Sequence, residues 1–156
     1  MQLKGSCSCQ AVRFQVESAQ PYPFNLCYCS ICRKTAGSGG YAINLGARAD
    51  TFEVQGREHL RIYQAVIDGE TSSVQRHFCG QCGSAVWIDD DRWPDLVHPF
   101  ASAIDTPLPK PPERSHMMLN SKAPWVELRA EPGDVCFEEY PDESLAEWHK
   151  RHGLTS

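Results

Sequence analysis

Residues 11–17 alternate Val12, Phe14 and Val16 with polar neighbours, the period of a strand buried on one face. Short segments of similar character recur at residues 41–45, 51–54, 60–63, 74–78, 85–88, 96–101 and 126–128. Eleven glycines and eleven prolines punctuate them, so the pattern predicts a mainly β chain of short antiparallel strands. Helical spacing is confined to the C-terminal end. There Asp142 can cap a short helix that carries Leu145, Trp148, His149 and His152 on one face and stops at Gly153. Residues 106–113, with Pro107, Pro109, Pro111 and Pro112, predict an extended surface connection. No internal repeat divides the chain, and residues 1–156 are expected to form a single domain.

Cysteine changes this picture. Seven of the eight fall into three clusters, Cys7-x-Cys9, Cys27-x-Cys29-x-x-Cys32 and Cys79-x-x-Cys82-Gly83. Cysteines one or two residues apart rarely bond to each other, and eight in 156 residues lie below the roughly 8–10% of a disulfide-stapled secreted scaffold. Metal ligation explains the grouping better. The first seven residues hold no apolar run of the kind a signal peptide needs, and no segment approaches a membrane span, so a reducing cytoplasm is the expected location. A formal charge of −5 and a pI near 5.6 argue against a nucleic-acid binder, which needs a basic face.

Cys7 and Cys9 alternate with Ser8, which puts both sulfurs on one side of an extended chain as half of a tetrahedral site. The second half is supplied by Cys79-Gly80-Gln81-Cys82-Gly83, where two intervening residues and glycine allow the sharp turn of a zinc knuckle. Four thiolates close a structural site. Cys27, Cys29 and Cys32 can surround a second ion with three sulfurs, leaving a position for water or substrate, or for a distant ligand such as Cys136, His98 or His116. Cys136, in Val135-Cys136-Phe137, reads as a buried, inert thiol. Seven thiolates carrying two zinc ions would take the formal −5 to about −8. Arg33 and Lys34, which follow Cys32, are therefore candidates to offset that charge or to bind an anionic ligand.

Gly5-Ser6-Cys7-x-Cys9, Cys27-x-Cys29-x-x-Cys32-Arg33-Lys34 with Gly37-Ser38-Gly39 behind it, Phe78-Cys79-x-x-Cys82-Gly83-Ser84 and Ser121-Lys122-Ala123-Pro124-Trp125 together resemble the glutathione-dependent formaldehyde-activating enzyme family. The resemblance runs from residue 5 to residue 125. It implies a β-tent fold of small antiparallel sheets with two Zn2+ ions per chain. Cys7, Cys9, Cys79 and Cys82 match the family's structural zinc ligands, and Cys27, Cys29 and Cys32 those of its catalytic zinc. The implied activity is that of a carbon–sulfur lyase similar to S-(hydroxymethyl)glutathione synthase. Such an enzyme activates glutathione or a similar thiol for reversible addition to formaldehyde or another small aldehyde, with Arg33 and Lys34 as candidate substrate contacts. There is one departure. Members of the family often carry histidine between the first two cysteines of the catalytic cluster, whereas this chain has Tyr28, which strand alternation points away from the metal.

Two other classes fit the same cysteines. A non-enzymatic, zinc-stabilised binding module would close both sites and ignore added thiols. A redox enzyme would need a reactive cysteine outside the clusters, for which only Cys136 is left. The expected partners are a small-molecule thiol and an aldehyde, with neither nucleic acid nor membrane. The acidic, proline-containing surface is compatible with a homodimer, and no pattern requires one.

Overall fold

The structure, a computed structural model, describes residues 1–155. The chain begins with β1 (Gln2–Ser6), β2 (Arg13–Glu17) and β3 (Phe24–Cys27), then helix α1 (Ser30–Ala36). Short strands follow: β4 (Ala42–Asn44), β5 (Ala47–Arg48), β6 (Glu53–Gln55), β7 (Leu60–Tyr63), and the hairpin of β8 (Val66–Ile67) and β9 (Glu70–Thr71). The remainder comprises β10 (Gln75–Cys79), β11 (Ala85–Asp89), β12 (Leu96–Pro99), β13 (Arg114–Met117), β14 (Val135–Cys136) and helix α2 (Leu145–Arg151). Among the described residues no helix is long and apolar enough to cross a membrane.

The fold is mainly β, built from small sheets with strand orders β1-β2-β6, β5-β12-β11-β10-β7 and β14-β13-β3-β4, besides the β8-β9 arm. The first two are antiparallel throughout. In the third, β13 runs parallel to both β3 and β14. Parallel neighbours need a long crossover, and here the whole five-stranded sheet is inserted between β3 and β13.

Several local expectations change. The segment at 51–54 starts as a 3-10 turn at Ala49–Thr51 and becomes strand only in β6, while the segment at 96–101 ends in β12 and turns over at Ala101–Ala103. Residues 126–128 are not a strand: Val126 closes a turn onto the Ala123 carbonyl and is buried against Leu26 and Tyr28. Helix α1 has no apolar stripe long enough to read, because its inward position is Cys32. Helix α2 begins two residues later than Asp142 suggests. Its cap is Ser144, whose hydroxyl accepts from the Glu147 amide at 3.2 Å while the Glu147 carboxylate accepts from the Ser144 amide at 2.7 Å.

The largest core lies between the first two sheets. Phe14, from β2, and Phe52 meet the fully buried Trp87 of β11 edge-on, at 5.3 and 4.7 Å, and His77 of β10 stacks on the indole at 4.9 Å. Gly5 lets this happen, since a Cβ there would stand 2.3 Å from the Phe14 ring and 2.6 Å from the Ala103 carbonyl oxygen. Trp87→Ala should cost about 3–5 kcal/mol, read as a lower urea midpoint at unchanged slope. A second core joins Cys27 and Cys32 to Ala42, Ile88, Phe100 and Met117, and a third holds Leu26, Tyr28, Ala123 and Val126. Each of the first two cores thus holds part of a cysteine group, Cys7 and Cys79 in the first and Cys27 and Cys32 in the second, while Cys9 and Cys82 are exposed.

Candidate metal centres

The first group forms where two hairpin turns from different sheets meet. Cys7 and Cys9 lie in the turn after β1, Cys79 ends β10, and Cys82 sits in the turn before β11. All four sulfurs lie within 4.8 Å of one another. Cys9 Sγ stands 3.7 Å from Cys7 Sγ and 3.8 Å from Cys79 Sγ. A tetrahedron of four sulfurs with metal–sulfur bonds of about 2.3 Å has edges of about 3.8 Å. The spacing therefore fits a tetrahedral thiolate site, and it is far too long for S–S bonds.

Backbone amides support these sulfurs. Val12 N donates to Cys7 Sγ at 3.3 Å and Gln81 N to Cys79 Sγ at 3.4 Å. The knuckle turns through Gly83, whose φ of +78° is left-handed and whose amide donates to the Cys79 carbonyl at 2.8 Å. The Ser84 hydroxyl and amide draw the Cys82 thiol down to about 5. His59, outside the knuckle, meets the Gln81 side chain at 2.9 Å and accepts the Gly80 amide on its carbonyl.

The second group is compact because a strand runs directly into a helix. Cys27 ends β3, Cys29 caps α1, and Cys32 follows one helical turn later, so that its amide donates to Cys29 Sγ at 3.2 Å. The three sulfurs also lie within 4.8 Å of one another. As bare thiols they cannot all ionise. Hydrogen bonds from Cys27 and Cys32 pull the Cys29 thiol down to about 2, while its bonds with Cys29 and Cys32, together with burial, push the Cys27 thiol well above its ordinary value. A cation removes this conflict by stabilising all three thiolates.

Among the described residues no fourth cysteine, histidine, aspartate or glutamate joins this group. His98 instead sits with Nδ1 2.9 Å from the Leu45 carbonyl, and burial holds its pKa below the ordinary value. Cys136 is exposed rather than buried, because β14 is the edge strand of its sheet. His116 belongs to a different network. Tyr28 lies with Leu26 in the third core, while Cys27 and Cys32 face the second, so the side chain at position 28 does point away from the sulfurs. Burial raises its phenol to about 12, and the neutral hydroxyl meets His116 Nδ1 at 2.8 Å. On the far side His116 Nε2 donates to Asp134 at 2.8 Å, which Arg114 also grips at 2.7 Å. The residue between Cys27 and Cys29 is thereby anchored to β13 and to the loop before β14.

Enclosure alone would raise the Asp134 carboxyl, but hydrogen bonds from Arg114 and His116 outweigh it and hold the group well below the usual carboxylate range. The unfolded chain then takes up the proton first. Asp134 contributes its full stabilisation above the ordinary value of about 4 and loses it as pH falls through the depressed folded value. Asp134→Asn should cost about 3–5 kcal/mol at neutral pH, by stranding Arg114 and His116. It should also flatten the acid limb of stability against pH, measured by urea midpoints.

A basic side chain from outside α1 contacts the second set of sulfurs. Arg33 and Lys34 stand in the last turn of α1, with Lys34 exposed. Arg76, from β10, places Nη1 3.7 Å from Cys32 Sγ and 3.5 Å from Thr35 Oγ1. It lines a cavity of about 290 Å³ together with Thr35, Tyr63, His77, Phe78 and Phe100. Gly83, next to Cys82, borders the same cavity, whose lining contains no cysteine. Tyr140, although 69% exposed, also belongs to this neighbourhood: the loss of some water around its hydroxyl, then the charges of Cys27, Cys29 and Cys32, push its phenol above the ordinary value. A larger groove of about 530 Å³ over β1, β2 and β6 contains no cysteine.

Comparison with known proteins points to one family. The model of a family described as glutathione-dependent formaldehyde-activating enzyme matches residues 2–121. A protein of Halomonas elongata, provisionally named a glutathione-dependent formaldehyde-activating enzyme, is 66% identical over 154 residues, covering 99% of this chain and 98% of that protein. A crystal structure of a Rhodobacter sphaeroides protein superposes with a TM-score of 0.52 at 27% identity, covering 68% of this chain and 91% of that one.

Proposed function

Since this chain belongs to the glutathione-dependent formaldehyde-activating enzyme family, we propose that it is a zinc-dependent carbon–sulfur lyase of the S-(hydroxymethyl)glutathione synthase type. Its reaction is the reversible addition of a thiol, glutathione or a close analogue, to formaldehyde or another small aldehyde. The observation that carries this reading is the convergence of Cys27, Cys29 and Cys32 without a fourth ligating side chain among the described residues. Three protein ligands and one free position are the donor set of a reactive zinc site, whereas the four thiolates of Cys7, Cys9, Cys79 and Cys82 suit a closed structural one.

A zinc ion bound by Cys27, Cys29 and Cys32 would supply the positive charge that lets a substrate thiol give up its proton at neutral pH. The chain's own contribution is to hold those three sulfurs in place, through the strand end of β3, the capped first turn of α1 and the Tyr28–His116–Asp134 anchor. In the forward direction the substrate sulfur forms a bond to the aldehyde carbon and the carbonyl oxygen takes up the proton, giving a hemithioacetal. In the reverse direction the same bond breaks and thiol and aldehyde are returned. Orienting the two reactants in one pocket can contribute up to about 7–11 kcal/mol. Arg33 and Lys34 remain candidate contacts for a substrate carboxylate at the edge of this region, and a cytoplasmic location would keep the seven clustered thiols reduced.

The test is a titration of cobalt-substituted protein with glutathione, following the sulfur-to-metal charge-transfer band. Saturable growth of the band supports a thiol joining the three-cysteine site. Two closed tetrahedral spectra indifferent to glutathione would overturn the enzymatic reading in favour of a zinc-stabilised binding module.

A further inference from the structure

We propose that Arg76 is the specificity-determining residue of this site, the cation that selects a thiol bearing a carboxylate over an uncharged thiol. The assignment rests on the reading of the three-cysteine group as the thiol-activating centre.

Arg76 is fixed by its backbone. It lies within β10, paired with Tyr63 of β7 on one side and Ile88 of β11 on the other. Its guanidinium therefore has a defined station between Cys32 and the cavity. The other arginines that hold structure here are saturated by carboxylates: Arg92 by Asp90, Arg114 by Asp134, and Arg151 by Glu113 and Glu143. Arg76 is different. Among the described residues no carboxylate pairs with it, and its Nε is buried without a hydrogen-bond partner. A guanidinium has five donors in a rigid fork, and this one borders a cavity with no carboxylate of the chain to meet its charge, so an anionic acceptor entering the cavity can complete the site.

The chemistry of that acceptor follows from its surroundings. The thiolate of Cys32 takes one edge of the fork at 3.7 Å, and Thr35 Oγ1 lies at 3.5 Å from the same nitrogen. The rest faces a cavity walled by Tyr63, Phe78 and Phe100. A planar carboxylate matches the fork and gains charge-assisted hydrogen bonds in that partly apolar setting. The ligand class is thus a thiol with a carboxylate a few bonds from its sulfur. An uncharged thiol could reach the same sulfurs but would leave the guanidinium charge without a carboxylate partner.

The experiment titrates cobalt-substituted protein with glutathione and with glutathione diethyl ester, whose carboxylates are masked. Wild type is expected to prefer glutathione. Arg76→Gln should weaken glutathione binding about tenfold or more while moving the ester by no more than about twofold. Arg76→Lys, which keeps the charge and loses the fork, should fall between them. Unchanged metal content confirms that each variant is folded and loaded. An unchanged glutathione-to-ester preference in Arg76→Gln overturns the assignment, as does loss of the preference only in an Arg33→Gln/Lys34→Gln double variant. A wild-type spectrum that responds to neither thiol overturns the thiol-activating reading and this assignment with it.

Discussion

Cys29→Ser is expected to remove one metal ion per chain and to lower turnover by at least about 100-fold, while the protein stays folded. The serine preserves what Cys29 does for the backbone. Its side chain accepts the Cys32 amide at 3.2 Å at the head of α1, and serine is among the best helix caps. A neutral hydroxyl does not replace a thiolate between Cys27 and Cys32. Metal analysis, a melting curve and exchange spectroscopy of the thiol–aldehyde adduct read the three consequences separately. Full turnover after loss of one metal would place the chemistry elsewhere. Unchanged metal content would remove Cys29 from the ligand set.

The grouping of the cysteines was legible because its signal is local. Two cysteines flanking one residue, or spaced by two, constrain their own sulfurs whatever the surrounding fold, and the structure brings together the groups those spacings suggest. Tyr28 could be oriented for the same reason, since alternation along β3 carries through to Leu26 and Tyr28 on one side and Cys27 on the other. The strand with clean alternation, β2, and the apolar or β-branched segments of β7, β10 and β11 were equally readable. Those built from short or polar segments were not. In β13 the sequence is Arg-Ser-His-Met, whose inward positions are polar because they feed the Asp134 network, so periodicity gives no sign of a strand.

What could not be read depends on contacts across long stretches of chain. Arg76 reaches Cys32 over 44 residues, and nothing near position 76 marks it as more than a strand arginine. Tyr140 senses the same thiolates because residues 137–139 accept backbone hydrogen bonds from residues 118–120, next to the Met117 that pairs with Cys27. It lies outside the segment matched by the family, residues 2–121. Conversely, Cys136 looked buried because its neighbours are apolar. An edge strand exposes one side of such a run, which composition alone does not reveal.

Cys79→Ser should have the opposite phenotype to Cys29→Ser, with loss of stability preceding any effect on chemistry. Cys79 is fully buried in the core that contains Trp87, and its sulfur contacts Cys9 across 70 residues of chain. A metal held there ties the hairpin turn of the β1-β2 sheet to that of the five-stranded sheet. Closing a loop of that length is worth about 4 kcal/mol in chain entropy alone, and ligation adds to folding because the site does not exist in the unfolded chain. The serine also places an unmatched hydroxyl in an apolar interior. The expected result is a melting temperature lower by about 10 °C or more, with a similar drop when wild-type protein is stripped by a chelator. If Cys79→Ser melted normally while Cys29→Ser unfolded, the structural and catalytic roles of the two cysteine groups would have to be exchanged. If both variants merely lost activity, neither metal would be holding the sheets together, and the cores around Trp87 and Phe100 would have to do so unaided.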